Sequence, residues 1–154
     1  MSSSIETRLQ ELGITLPVAA APAANYVPFT RTGSLLLTSG QLPLADGKLV
    51  HNGLLGAELN VAQGKEAAKA CAINILAQAK AALGDLEKIT RIVKITVFVA
   101  STPDFTEQHL VANGASDLLV AVLGDAGRHA RSAVGSAALP LNAPVEIEAI
   151  IEVR

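Results

Sequence analysis

Apolar positions along this chain switch repeatedly between the two-residue period of a strand and the 3.6-residue period of a helix. Residues 5–12 carry a short amphipathic helical pattern stopped by Gly13, and residues 17–24 are rich in alanine and proline and read as irregular. Residues 26–31 and 34–38 read as two strands around the turn Thr32-Gly33, and Asp46-Gly47 marks a second turn. Asn60 is a good N-cap, and Gln63 stands three residues on in capping-box position. Ala68, Cys71, Ile75, Ala79 and Leu83 then recur at helical spacing until Gly84. Residues 89–100 form a long strand pattern, with Val93, Ile95, Val97 and Val99 on one side and Ile92 and Phe98 on the other. Both sides are apolar, as in a central strand. Thr102-Pro103 is expected to open a second helix, striped by Leu110, Val111, Leu118, Leu119 and Val122 and ended by Gly124. Two strands, about 132–138 and 145–153, complete the order β-β-α-β-α-β-β. That order predicts an α+β fold, a sheet with two helices packed on one face.

The last strand turns Val145, Ile147, Ala149, Ile151 and Val153 to the core and Glu146, Glu148, Ile150 and Glu152 away from it. This half-apolar outer face predicts cover by another copy, with sites in clefts between subunits. At 154 residues the chain is most simply one domain. Half of it is apolar and 17% charged, a surplus expected at subunit contacts. Net charge is −2 and aromatic residues make up 3%, so the basic track and stacking aromatics of a single-strand binder are missing and the composition argues against nucleic acid as a ligand. One cysteine, Cys71, precludes an internal disulfide. No apolar run approaches the ~20 residues of a membrane span, and Met1-Ser2-Ser3-Ser4 does not begin a signal peptide. A soluble cytoplasmic protein is expected.

The residues with chemistry gather late in the chain. Arg131 can take a carboxylate in two parallel hydrogen bonds; equally, it can pair with Glu146 or Glu148 across a terminal hairpin. Glu146 and Glu148 can orient a water or accept its proton, or simply be solvated strand positions. Ser39-Gly40-Gln41 can offer a hydroxyl and backbone N–H groups, or be an ordinary strand end. Gly114 inside a helix costs roughly 1 kcal/mol against alanine, which predicts close packing there, while Asn113 can face a cleft. His51, His109 and His129 lack metal-ligand spacing and read as surface residues. Cys71, mid-helix on the apolar stripe, reads as core.

Thr38-Ser39-Gly40-Gln41-Leu42-Pro43, the strand from Val93 to Val99, and Ala130-Arg131-Ser132 followed by Leu139-Pro140 and Val145-Glu146-Ile147-Glu148-Ala149 resemble the YjgF/RidA family, also labelled endoribonuclease L-PSP. The resemblance runs from about residue 21 to 154, leaving residues 1–20 as an N-terminal helical extension before a single domain over 21–154. It implies a chorismate-mutase-like subunit with a mixed sheet, assembled as a homotrimer with three intersubunit clefts. It also implies hydrolytic deamination of 2-enamine and 2-imine acids (2-aminoacrylate and 2-iminobutanoate type) to 2-keto acids and ammonia, with no cofactor and no metal. By resemblance Arg131 binds the substrate carboxylate, Glu146 orients water, and Ser39, Gly40 and Asn113 line the cleft. Phe29 stands where a tyrosine is frequent, and Ala133 where a cysteine is common. Two other functions remain open: an endoribonuclease acting on single-stranded RNA, with His129 as base, and a non-catalytic binder of small carboxylates or keto acids.

Overall fold

The computed structural model describes residues 4–22 and 24–154. Residues 1–3 of the expected 1–20 extension, and Ala23 in the irregular stretch, lie outside the described residues. Among the described residues seven strands form: β1 (Phe29–Thr32), β2 (Leu35–Thr38), β3 (Leu44–Ala45), β4 (Lys48–Leu49), β5 (Ile89–Ala100), β6 (Ala130–Ser136) and β7 (Val145–Val153). β3 and β4 make a small hairpin of their own, and the other five form one mixed sheet in the order β1-β2-β7-β5-β6. β5 runs parallel to β6 and antiparallel to β7. The last two strands are therefore not a hairpin: β5 lies between them, and the ion pair expected of Arg131 across such a hairpin does not form.

Helix α1 (Ser4–Glu11) buries Ile5 and Leu9, and its Arg8 donates to the Val122 carbonyl at 3.2 Å. Helix α2 (Val61–Leu83) begins as its sequence dictates. The Asn60 side chain accepts from Gln63 N–H, and Gln63 Oε1 accepts from Asn60 N–H, both at 2.9 Å. Gly84, left-handed at φ 76°, ends it. Helix α3 (Gln108–Leu123) starts later than Thr102-Pro103 implied. The backbone of that stretch is engaged elsewhere: Thr102 N–H donates to Leu55 O at 3.0 Å and Phe105 N–H to Thr102 O at 3.1 Å.

Both long helices pack on one face of the sheet over a single core containing Leu36, Ile75, Leu76, Ile95, Val97, Leu119, Ile147 and Ile151. The alanines of α2 fill that core (Ala67, Ala68, Ala72 and Ala79 are fully buried), so part of the apolar surplus serves the helix crossing. A register shift in β5 between Ile92 and Lys94 changes which side chains face the core. Ile92 is buried and Val93 is 37% exposed, the reverse of strict alternation from Ile95. The 20-residue stretch Gln108–Gly127 is long and apolar enough to cross a bilayer by composition, unlike the sequence reading. Its buried positions, Val111, Ala112, Ala115, Leu118, Leu119 and Val122, are those of a core helix.

Gly114 occurs where α3 crosses α2 closely. A Cβ there would overlap the Lys65 backbone carbonyl. Gly114→Ala should therefore lower stability by about 1–3 kcal/mol, the usual range for overpacking, despite alanine's better helix propensity. Chemical denaturation checks this, and a stabilised variant contradicts the packing.

Candidate functional site

Arg131 lies on β6, an edge strand of the sheet, aligned with Ile95 of β5. Ile95 is a core residue, so Arg131 projects on the helix side and reaches α3. Its Nη1 donates to Asn113 Oδ1 at 2.9 Å and to Ser116 Oγ at 3.1 Å, and its Nη2 donates to the His109 carbonyl at 3.2 Å. His109, Asn113 and Ser116 are spaced i, i+4, i+7, one polar stripe along α3. All three acceptors are neutral. Among the described residues no carboxylate pairs with Arg131. An arginine carries five N–H donors. Three are used here, and Nε–H and one Nη2–H have no partner among the described residues.

Ser116 joins this group to His129. Its Oγ lies 2.8 Å from His129 Nε2, and His129 Nδ1 lies 2.6 Å from the Gly127 carbonyl. His129 is half-buried, not a surface residue. Burial pushes its pKa down; the Gly127 carbonyl pulls it up and the Arg131 charge lowers it again.

A second group of candidates lies at the end of β2. β2 pairs with β7 as Leu35↔Glu152, Leu36↔Ile151 and Leu37↔Ile150, but Gln41 then pairs with Ile147. One extra residue has entered the strand, a bulge at Ser39-Gly40. Thr38 Oγ1 takes the orphaned Ala149 N–H at 3.0 Å. Buried Gln41 fastens the bulge, donating to Ser39 O at 3.0 Å and accepting from Gln78 at 3.3 Å. The bulge brings Gly40 against Glu146, so that a Cβ at residue 40 would overlap Glu146 Oε2. Only glycine fits. Gly40 N–H and the Glu146 carboxyl are both without a hydrogen-bond partner among the described residues. Burial raises the Glu146 pKa, and the neighbouring Glu148 raises it further.

Ser39 Oγ donates to the Val27 carbonyl at 2.6 Å, which occupies its hydrogen. Phe29 opposes Thr38 in β1 and packs on the core edge. A cleft of about 180 Å³ lies beside Ser39 and Gly40, lined also by Tyr26, Gln41 and Asn74. Tyr26, unremarked in the sequence, brings a phenol to this cleft although Phe29 has none.

The structure thus brings Arg131 together with Asn113, and Glu146 with Gly40 and Ser39, but keeps the two groups apart. Arg131 and Ala133 lie on the helix side of the sheet, Glu146 on the other. Two strand spacings and three residues along the strand separate their backbones by roughly 14 Å. Ser116 and His129 are the residues whose part sequence reasoning missed; the i, i+4, i+7 stripe was the available signal. Exposed Glu148 accompanies Glu146 without touching Gly40. His51 pairs with Glu66 at 2.8 Å. Cys71 is fully buried, and burial pushes its thiol pKa up, so it is core as expected. No cluster of three metal-ligating side chains occurs among the described residues.

Residues 6–152 match the family described as "YjgF/chorismate_mutase-like, putative endoribonuclease". The chain is 53% identical to Protein TCP17 of Trypanosoma cruzi over 99% of its own length and 96% of that protein's. It is also similar to the crystal structure of Atu1372 from Agrobacterium tumefaciens, a protein of unknown function (TM-score 0.93, 60% identity, 98% of this chain and 93% of that one). A more distant likeness is to E. coli TdcF with bound serine (TM-score 0.62, 28% identity, 89% and 94%).

The raised Glu146 pKa has a signed consequence. In acid the folded and unfolded chains both hold the proton. As pH rises past the ordinary glutamate range, the unfolded chain ionises first, and folding is progressively penalised until the folded carboxyl ionises too. Glu146→Gln should therefore gain stability over the wild type from acid towards neutral pH. Urea unfolding across that range checks it; a difference independent of pH contradicts it.

Proposed function

The chain belongs to the YjgF/chorismate-mutase-like family, and from that premise we propose that it hydrolyses reactive 2-imino and 2-enamine acids to 2-keto acids and ammonia. The observation that carries this reading is the state of Arg131. Among the described residues its charge is met only by neutral acceptors, and two of its N–H donors remain open. That is a receptor for a small carboxylate. The serine bound to TdcF is a ligand of that kind.

The chemistry follows from the parts. Arg131 holds the carboxylate of the protonated imine, R–C(=NH2+)–COO⁻. Glu146 accepts a proton from a water that adds to C2, with Gly40 N–H beside it as a donor. Glu146 returns that proton to the nitrogen of the adduct, the C–N bond breaks, and ammonia leaves as the added hydroxyl gives its proton to the Glu146 carboxylate and becomes the carbonyl. Electrons do not change hands, so hydrolysis needs no redox cofactor. Free imines already hydrolyse in water, and positioning supplies most of the gain.

Arg131 and Glu146 face opposite sides of one sheet, so a complete site takes them from different copies. The two contributing surfaces differ, which makes the contact head-to-tail, the kind that forms a ring when its rotation closes. A homotrimer with three clefts fits this. The outer sheet face supports it: Leu35 is 36%, Val93 37% and Val134 43% exposed, a patch of the apolar kind that subunits cover.

Binding of a keto acid without turnover is the second reading, favoured by Phe29 and Ala133, whose side chains offer no donor to the reacting atoms. The ribonuclease reading needs His129 as a free base, and both of its ring nitrogens are engaged.

Arg131→Ala should lower kcat/KM for 2-iminobutanoate, generated in a coupled assay, by about 100-fold, or ~2.7 kcal/mol. Arg131→Lys should recover little of it, because lysine has no fork. The assembly, read by size-exclusion chromatography, should persist. Unchanged turnover removes Arg131 from the reaction, and tight 2-ketobutyrate binding by a wild type that turns over no imine selects the binder.

A further inference from the structure

We propose that His129 and Ser116 act as a positioning pair for Arg131, fixing which edge of its guanidinium is offered to the carboxylate. This rests on the reading of Arg131 as the carboxylate receptor.

The hydrogen-bond inventory leaves one arrangement for the neutral imidazole. The Gly127 carbonyl can only accept, so His129 Nδ1 must carry the proton at 2.6 Å. Nε2 is then an acceptor, and Ser116 must donate its hydroxyl hydrogen to it across 2.8 Å. With that hydrogen committed, Ser116 Oγ presents a lone pair to Arg131 Nη1 at 3.1 Å. Asn113 Oδ1 takes the other Nη1 hydrogen and His109 O one Nη2 hydrogen. Both Nη1 hydrogens are spent, and Nε–H with the second Nη2–H is what remains for a carboxylate. The direction of the chain Gly127 ← His129 ← Ser116 ← Arg131 is set at its far end by a backbone carbonyl in the turn Gly124–Gly127. The half-buried polar stripe of α3 supplies the middle, and the strand supplies the cation.

Protonating His129 reverses the middle link. Nε2–H then donates to Ser116 Oγ, the hydroxyl hydrogen must turn elsewhere, and two cations share one oxygen. The charged groups around the ring decide how hard this is. Arg131, on the strand that begins just after the ring, opposes it, and Arg128, Arg91 of β5 and Glu152 of β7 line the groove that His129 also borders. Arg128 is partly answered by Asp125 at 3.3 Å, and from α3 the ring meets the neutral Ser116. Burial already lowers the His129 pKa, so the neutral arrangement is the one present near pH 7. The neutral arrangement is the one that fixes the open edge of Arg131, so a bound carboxylate selects it and should move the His129 titration downward, which is the reciprocal of weaker binding in acid.

The test titrates 2-ketobutyrate into the wild type, Ser116→Ala, His129→Gln and Arg131→Ala between mildly acidic and neutral pH. The 15N shifts of the His129 ring are recorded on the unliganded wild type. The expected result is a protonated Nδ1 and an unprotonated Nε2 at neutral pH. Wild-type affinity should fall several-fold as His129 titrates. Ser116→Ala should bind about tenfold more weakly at neutral pH, with that pH dependence lost. His129→Gln, whose amide oxygen can take the Ser116 hydrogen but no proton, should rescue binding and show no such dependence. In turnover the Ser116→Ala loss should appear in KM before kcat. Wild-type pH dependence that persists in His129→Gln, undiminished binding by Ser116→Ala, or an Nε2–H tautomer each overturn the pair. Equal binding by the wild type and Arg131→Ala overturns the carboxylate receptor itself and the pair with it. Loss in Arg131→Ala alone overturns only the pair.

Discussion

A guanidinium held by an amide oxygen, a hydroxyl and a backbone carbonyl has geometry without neutralisation, and the functional account depends on that condition at Arg131. A carboxylate partner within the chain would have fixed the side chain equally well and left nothing to bind. Neutral acceptors orient the group while its charge stays available. The local cost of confining a cation this way is tolerable at a free sheet edge, where the guanidinium is only partly buried. α3 does most of this work: its apolar stripe is pressed onto α2 and the sheet, and the polar stripe beside it is thereby fixed opposite β6.

The other half of the site has a different origin. One extra residue between β2 and β7 turns Ser39-Gly40 out of the ladder and against Glu146. Thr38 and Gln41 repair the hydrogen bonding on either side, which lets the bulge sit in the sheet interior with Gly40 N–H left as its open donor among the described residues. Glycine at position 40 admits the carboxyl, and the partly enclosed surroundings make that carboxyl a better proton acceptor than an exposed one. Because the sheet stands between this group and Arg131, the fold of one copy keeps the two groups on opposite faces.

Local signals in the sequence were legible where local interactions decide the outcome. The Asn60–Gln63 box, the stop at Gly84 and the limits of β5 needed only neighbouring residues to specify them. The misreadings all involve partners distant in sequence. β6 and β7 look like a hairpin because they are consecutive, yet β5 has more apolar surface to share with both and takes the place between them. The β5 register shift, which exchanges the sides of Ile92 and Val93, has no mark in the run Ile92-Val93-Lys94-Ile95, where adjacent β-branched residues could face either side. Thr102-Pro103 resembles a helix start, but its backbone answers Leu55, a partner 47 residues away by number. At the candidate site, Arg131, Asn113, Glu146 and Gly40 stand out in the sequence by resemblance and His129 as a candidate base, whereas Ser116 carries no mark of its own, since its link to both arises only when the turn at Gly127 brings the imidazole back over α3.

The central claim is that the open edge of Arg131 grips a carboxylate in a site completed by a second copy of the chain. A crystal structure of the protein soaked with 2-ketobutyrate tests this directly. The account predicts the carboxylate on Nε and Nη2 of Arg131, with Gly40 N–H and Glu146 of a neighbouring copy around the keto carbon. A keto acid bound away from Arg131, or an assembly in which no copy's Glu146 approaches another's Arg131, contradicts it.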